Sequence, residues 1–365
     1  MKSVLFIAPS LRGGGAERVI INLLKHMSRS GVELSFIALK LEGPYVSQLP
    51  DDVEAIDLNT RRVRHSIFKL TREINRIQPD VVLSTLGHLN LLLLLIRPFL
   101  RKKPKLVLRE ANAPSFAIPA NSKGRFMKWL YRILYPRADR IIALSSGMAE
   151  DLIRFSRLPA GKVTIIHNPV VTEEVNKRAS QQAEHAWITD KQLPVCISVG
   201  RLVEQKNYDV LLRAFALVQQ QLPCRLIVLG EGKERAKLEG LRDRLGLTDK
   251  VDFHGFASNP FAYVAKADLF VLSSRWEGMP NVLLEALAVG IQIVSTDCIG
   301  VDDVLDGGKY GAIVPVGGEA ELASAIARSL SRQDAAACAD RQKSRAAHFN
   351  IERISNEYRR LLLEV

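Results

Sequence analysis

Short apolar runs that read as buried strands alternate with stretches of helical spacing along nearly all of this 365-residue chain. That alternation admits little except doubly wound α/β sheets. Val4–Ala8 reads as a strand, Ala16–Met27 as a helix carrying Val19, Ile20, Leu23 and Leu24, and Val32–Leu39 as a second strand. Val81–Ser84, Leu106–Leu108 and Arg140–Leu144 continue the series. Around 171–193 the pattern lapses into polar residues such as Thr172-Glu173-Glu174 and Ser180-Gln181-Gln182, which reads as a linker. A second series then begins, with strands at Val195–Val199, Arg225–Leu229, Val251–His254, Asp268–Leu272 and Ile291–Ser295. Helices fill its intervals at Tyr208–Gln220, Lys233–Leu245, Val282–Ala288 and Glu321–Leu330. The expectation is two Rossmann-like domains, 1–175 and 176–345, with 346–365 forming a helix able to cross back to the first. The chain is long enough for two cores. Ligands of such sheets bind beyond the carboxyl ends of the strands, so the expected site is a cleft between two facing domains.

Charge divides the halves. Residues 1–180 hold 29 Lys/Arg against 15 Asp/Glu, while 181–365 hold 22 against 24, so the first half carries all the positive excess. Such asymmetry points to an anionic partner for the first domain. Between Arg97 and Arg140 there are twelve Lys/Arg against Glu110 and Asp139. The stretch Arg97–Lys105 and the mixed apolar and cationic Lys123–Leu134 are candidates for an anionic membrane surface. The plainer reading is that Met127, Leu130, Ile133 and Leu134 pack on the sheet while the cations are solvated. Nucleic acid is disfavoured, since no binding motif is present and aromatics are only 6% of the residues. The longest apolar run, Leu89–Ile96, is too short to span a bilayer, and the start of the chain is too short for a signal peptide. Four scattered cysteines, without Cys or Cys/His metal spacing, read as buried thiols in a reducing cytoplasm.

Three segments carry chemistry. Gly13-Gly14-Gly15 opens the first helix, where glycine allows close approach and free N–H groups can meet an anion, although any tight strand–helix turn uses glycine too. The spacing is not that of a dinucleotide fingerprint, and no acidic residue ends the second strand, which disfavours a nicotinamide dehydrogenase. Gly200-Arg201 and Lys206-Asn207 follow the first strand of the second domain and place two cations five residues apart. Facing a diphosphate they would stabilise its departure; otherwise they are charges on a solvated loop. In LSSRWEGMPNVLLEALAVG, residues 272–290, Glu277 lies in a loop and Glu285 one to two turns into a helix. Amides of Met279 to Val282 then offer an anion site at the helix start. The two carboxylates can be up to about 12 Å apart, beyond the roughly 5–9.5 Å of a glycosidase pair, which suits two ends of one extended ligand.

With His167-Asn168-Pro169, Val228-Leu229-Gly230-Glu231-Gly232 and Phe253-His254-Gly255 in order among them, these segments resemble the retaining GT-B glycosyltransferases of family 4. Within that family the chain looks most like bacterial enzymes of surface-polysaccharide and lipid-linked-oligosaccharide synthesis. The resemblance implies that Arg201 and Lys206 hold the donor diphosphate, that Glu277 lies beside the transferred sugar and that Glu285 binds ribose hydroxyls. Backbone at Gly278, Met279, Pro280, Asn281 and Val282 would contact sugar and phosphate. The Phe253–Phe256 turn, with Gly255, would line the base pocket, and Gly14 and Gly15 would approach the donor. Relatives often carry a histidine after a glutamate in the first domain; here the run is Leu108-Arg109-Glu110-Ala111-Asn112 with alanine at that position, so the resemblance implies that its role is either absent or shared by Glu110 and Asn112.

The expected function is therefore transfer, with retention and without a metal ion, of a hexose or N-acetylhexosamine from a UDP-sugar to a lipid-linked or polysaccharide acceptor. The expected location is the cytoplasm, peripheral to the inner face of the cytoplasmic membrane. The rival readings are a GT-B transferase with a soluble sugar or sugar-phosphate acceptor, and a non-catalytic nucleotide-sugar-binding scaffold.

Overall fold

The computed structural model describes residues 1–60, 63–331 and 335–365. They form two compact units, Met1–Pro169 with Ile351–Val365, and Val170–Asn350. The first is built on a sheet of β1 (Lys2–Ala8), β2 (Val32–Ala38), β3 (Glu54–Asp57), β4 (Val81–Thr85), β5 (Lys105–Arg109), β6 (Arg140–Ala143) and β7 (Val163–Ile165), in the order β3-β2-β1-β4-β5-β6-β7. The second holds β8 (Val195–Val199), β9 (Arg225–Leu229), β10 (Val251–Gly255), β11 (Leu269–Leu272), β12 (Gln292–Thr296) and β13 (Ala312–Val314), ordered β10-β9-β8-β11-β12-β13. All pairings within both sheets are parallel. Central strands such as Val4–Ala8 and Leu106–Leu108 are fully buried, as a parallel sheet covered on both faces requires. Helix starts are fixed locally: Asn121 accepts the Gly124 amide and Ser145 accepts the Met148 amide through their side chains.

Two expectations change. The polar stretch after Val171 is not a linker: Thr172–Ala179 is a helix, and it packs on the helices Pro260–Val264 and Asn281–Val289. Val175 supplies the buried contact on an otherwise polar segment. The boundary thus falls after Pro169 instead of after residue 175, and the return to the first unit begins at Ile351 instead of residue 346.

The helix Ile351–Glu364 belongs to the first unit and packs on Gly15–His26. It buries Ile351, Ile354, Tyr358, Leu361 and Leu362. Its polar ties are equally specific. The Tyr358 hydroxyl lies 3.1 Å from Arg109 Nε, and Lys2 Nζ donates to the Leu363 carbonyl at 2.6 Å. Arg109 is fully buried and also donates to Thr85 Oγ1 at 3.0 Å and Asn168 Oδ1 at 2.6 Å. Among the described residues no helix is long and apolar enough to cross a membrane, and the four cysteines are buried and unpaired.

Candidate active site

In the second unit, β8, β9 and β10 deliver glycines at or just past their carboxyl ends, and two of these let backbone meet backbone. A Cβ on Gly230, at φ +142°, would lie 2.0 Å from the Gly200 carbonyl oxygen, and one on Gly232 would lie 2.2 Å from that of Leu202. No side chain fits at either position, so the Gly200–Leu202 segment lies directly on the Gly230–Gly232 turn. The Leu202 amide donates to the Glu231 carbonyl at 2.9 Å and fixes the register. Arg201 is exposed, and its guanidinium has no partner among the described residues.

The chain then makes a single turn, Glu204–Lys206, and Asn207 takes a left-handed conformation at φ 55° before the helix Tyr208–Gln219. This turn carries Lys206 toward the loop after β11. Lys206 Nζ donates to Glu277 Oε1 at 2.7 Å, with side chains only 14% and 10% exposed. Ser274 Oγ donates to the same oxygen at 2.8 Å, and Gln205 Nε2 to Glu277 Oε2 at 3.3 Å and to the Trp276 carbonyl at 2.9 Å. Three side chains thus set one carboxylate. An ammonium has three donors, so Lys206 can hold Glu277 and still offer N–H groups to an anion. Sequence reasoning named Lys206 and Glu277 but missed Gln205 and Ser274. The signal was their position, since each lies within three residues of a named residue on the same loop.

Glu277 is followed by Gly278 and Met279, with Pro280 as the cap of the helix Asn281–Val289. A Cβ on Gly300, at φ +84°, would lie 2.3 Å from the Gly278 carbonyl oxygen, so the backbone of the next turn presses on this loop. Val282 lies in the first turn, and Glu285, only 8% exposed, sits one turn further in on the buried side. The Cys298 thiol is pushed well above its ordinary pKa by burial and by the negative charge of Glu277, which marks it as an inert neighbour of the site. On β10, Phe253 is buried and Arg235 Nη2 donates to its carbonyl at 2.7 Å, while Gly255 at φ +92° turns the chain so that Phe256 stands 79% exposed.

A different cluster, Asp252 and His254 on β10 with His185 at the start of the helix Ala186–Thr189, has metal-ligand chemistry that the spacing did not reveal. One nitrogen each of His185 and His254 and an oxygen of Asp252 lie within 4.8 Å of one another. His185 Nδ1 accepts the Trp187 amide at 3.1 Å, so its neutral proton sits on Nε2, 3.1 Å from Asp252 Oδ2. That tautomer satisfies the ring and the carboxylate with protein partners and places a proton where a cation would need the lone pair.

In the first unit, Gly14 caps the helix Gly15–His26, and its amide donates to Glu17 Oε2 at 2.8 Å. Glu17 Oε1 in turn accepts from Ser10 Oγ at 2.7 Å. The protein's own carboxylate therefore occupies the Gly14 donor that sequence reading assigned to a ligand phosphate.

Glu110 corrects an expectation as well. It is 4% exposed and points into the unit's interior, where Asn90 Nδ2 donates at 3.0 Å, the Tyr131 hydroxyl at 3.4 Å, and the Tyr135 hydroxyl also donates. Asn90, the polar interruption of the Leu89–Ile96 run, is fully buried to serve this network, and it accepts Ser84 Oγ at 2.5 Å. Asn112, half-buried nearby in sequence, is not part of it. Burial raises the Glu110 pKa from 4.5 to about 7 against the lowering effect of its donors. The carboxyl is favoured neutral in the fold, so stability is full below about pH 4.5 and falls as pH rises from there to about 7. The loss by pH 8 is about 3 kcal/mol. Glu110→Gln should flatten that slope in thermal melts between pH 5 and pH 8; an unchanged slope would assign the pH dependence elsewhere.

Residues 13–174 match the family model described as Glycosyltransferase Family 4, and residues 180–346 match the one described as Glycosyl transferases group 1. Over 367 residues the chain is 29% identical to N-acetylgalactosamine-N,N'-diacetylbacillosaminyl-diphospho-undecaprenol 4-alpha-N-acetylgalactosaminyltransferase of Campylobacter jejuni, covering 97% of each chain. Over 361 residues it is 29% identical to the lipopolysaccharide core biosynthesis glycosyltransferase LpsE of Rhizobium meliloti, covering 96% of each. In fold it resembles HepE of Anabaena, solved in complex with UDP and glucose, with a TM-score of 0.82 and 19% identity over the whole of both chains.

Proposed function

The chain belongs to the GT-B glycosyltransferases, and from that membership we propose that it moves a hexose or N-acetylhexosamine from a UDP-sugar to a lipid-linked or polysaccharide acceptor in bacterial cell-surface glycan synthesis. The reaction retains anomeric configuration and needs no metal ion. The protein works at the anionic inner face of the cytoplasmic membrane. The observation that carries the reading is the Lys206–Glu277 pair, held at 2.7 Å beyond the carboxyl ends of β8 and β11.

Transfer breaks the bond between the sugar C1 and the diphosphate oxygen and forms one from C1 to the acceptor oxygen. The acceptor proton goes to the departing phosphate, and UDP leaves. Lys206, Arg201 and amides at the start of the Asn281–Val289 helix stabilise the charge that grows on that leaving group. Glu277, fixed by Lys206, Gln205 and Ser274, accepts hydrogen bonds from sugar hydroxyls, and Glu285 takes those of the ribose. The UDP complex of Anabaena HepE and the undecaprenol-linked substrate in the name of the Campylobacter relative support the donor and acceptor classes.

Binding and slow hydrolysis across a panel of UDP-, GDP- and ADP-sugars, with EDTA present, test the proposal. One UDP-sugar should be bound and turned over in the chelator. Activity that appears only on adding a divalent cation would overturn metal independence. Binding without turnover with any acceptor would favour a scaffold.

A further inference from the structure

The first unit exposes two phenylalanines on one wall. Phe68, in the first turn of the helix Ile67–Ile77, is 87% exposed, and Phe99, in the turn after the helix Gly87–Ile96, is 71% exposed. With Ile67, Arg72, Asn75 and Arg101 they line an open cavity of about 690 Å³. Single apolar side chains on a surface need no explanation, but paired aromatics around a cavity do.

This wall is held in place. Asn75 donates through Nδ2 to the Phe99 carbonyl at 3.2 Å and accepts the Arg101 amide on Oδ1 at 2.7 Å, so one side chain clamps the Phe99–Arg101 turn against the helix. Charge is distributed just as unevenly. Arg76 is neutralised by Glu54 at 3.0 Å and Glu73 at 2.7 Å, and Lys102 by Asp80 at 2.9 Å. The guanidiniums of Arg72 and Arg101, beside the phenylalanines, have no partner among the described residues. Two rings without apolar cover and two cations without counter-charge fit one occupant, an anionic bilayer. The rings enter its acyl boundary, and the guanidiniums meet lipid phosphates above them.

We propose that the Phe68–Phe99 wall is the surface by which this protein docks on an anionic membrane; this rests on the reading of the acceptor as membrane-borne. A rival apolar surface lies where Phe126 and Trp129 stack at 5.8 Å and are 58% and 53% exposed. There Lys128 lies over the Phe155 ring at 5.2 Å and Arg132 donates to the Phe155 carbonyl, so two of its cations turn inward.

Co-sedimentation of the full chain with vesicles of phosphatidylcholine alone, or mixed with phosphatidylglycerol, decides. The wild type should bind the mixed vesicles. Phe68→Ser with Phe99→Ser should weaken that binding by at least about tenfold. Arg72→Gln with Arg101→Gln should erase the preference for the anionic lipid, while Phe126→Ser with Trp129→Ser should bind as the wild type does. The proposal is overturned if the Phe68/Phe99 variant binds normally, if the Phe126/Trp129 variant alone loses binding, or if the wild type ignores vesicles. Light scattering that showed self-association through this wall would put a second copy in the bilayer's place. Donor hydrolysis without vesicles is read on the same preparations. Its absence in the wild type would sink the transferase reading and leave the docking result standing.

Discussion

A chain ended after Asn350 is expected to lose the folded first unit altogether. The deleted helix contributes Ile351, Ile354, Tyr358, Leu361 and Leu362, all buried. At about 1.5–3 kcal/mol for each large apolar side chain, their burial is worth roughly 10 kcal/mol. A typical domain is stable by only about 5–15 kcal/mol. The loss would also leave Arg109, fully buried, without the Tyr358 hydroxyl. Tyr358→Phe is the matched control: it removes one hydroxyl from a buried guanidinium and should cost about 2 kcal/mol with the fold intact. Limited proteolysis followed by mass spectrometry reads the result. Peptides from residues 1–169 should be cut rapidly in the truncated chain and protected in the Tyr358→Phe chain. Equal protection in both would mean that the first unit stands without its last helix.

Lys206→Ala is expected to lower donor turnover by about 10²–10³, the usual effect of removing one fixed donor from a developing oxyanion. It should not be silent in stability. Lys206 is the ammonium partner of a nearly buried Glu277, and leaving that carboxylate unpaired costs about 3 kcal/mol. The two effects separate in the double variant. Lys206→Ala with Glu277→Ala removes the stranded charge, so its melting temperature should lie closer to the wild type than that of Lys206→Ala, while turnover stays low. Turnover near wild type in a folded Lys206→Ala protein would remove Lys206 from the mechanism. A double variant no more stable than the single would show that the pair is not what holds Glu277.

The sheets were largely legible because central parallel strands are apolar on both faces and read as continuous runs, as Val4–Ala8 and Val195–Val199 do. β3, β7 and β13 escaped detection. They are edge strands of three or four residues, and Glu54-Ala55-Ile56-Asp57 has too little buried surface to leave a pattern. The helix Thr172–Ala179 was hidden for a related reason, since its sole buried side chain is Val175. At the site, residue types and loop positions made Lys206 and Glu277 candidates, and the structure brings these two together. What sequence could not give was the pairing of Lys206 with Glu277, 71 positions apart. Nor could it show that Glu110 turns inward, because the hydroxyls of Tyr131 and Tyr135 that receive it come from a helix and turn further along the chain.

The closing of the first unit by Ile351–Glu364 also sets an order of events during synthesis. Residues 1–169 leave the ribosome first, yet the surface that this helix covers has no cover until Val170–Asn350 have followed. At about 5–20 residues per second that interval is roughly 10–40 s. Through it the helix Gly15–His26, with its glycine-rich start, waits beside an open groove, while the later unit already has all its own strands. The half of the chain made first is thus the half completed last, and a nascent protein carries a finished second unit before the first is whole.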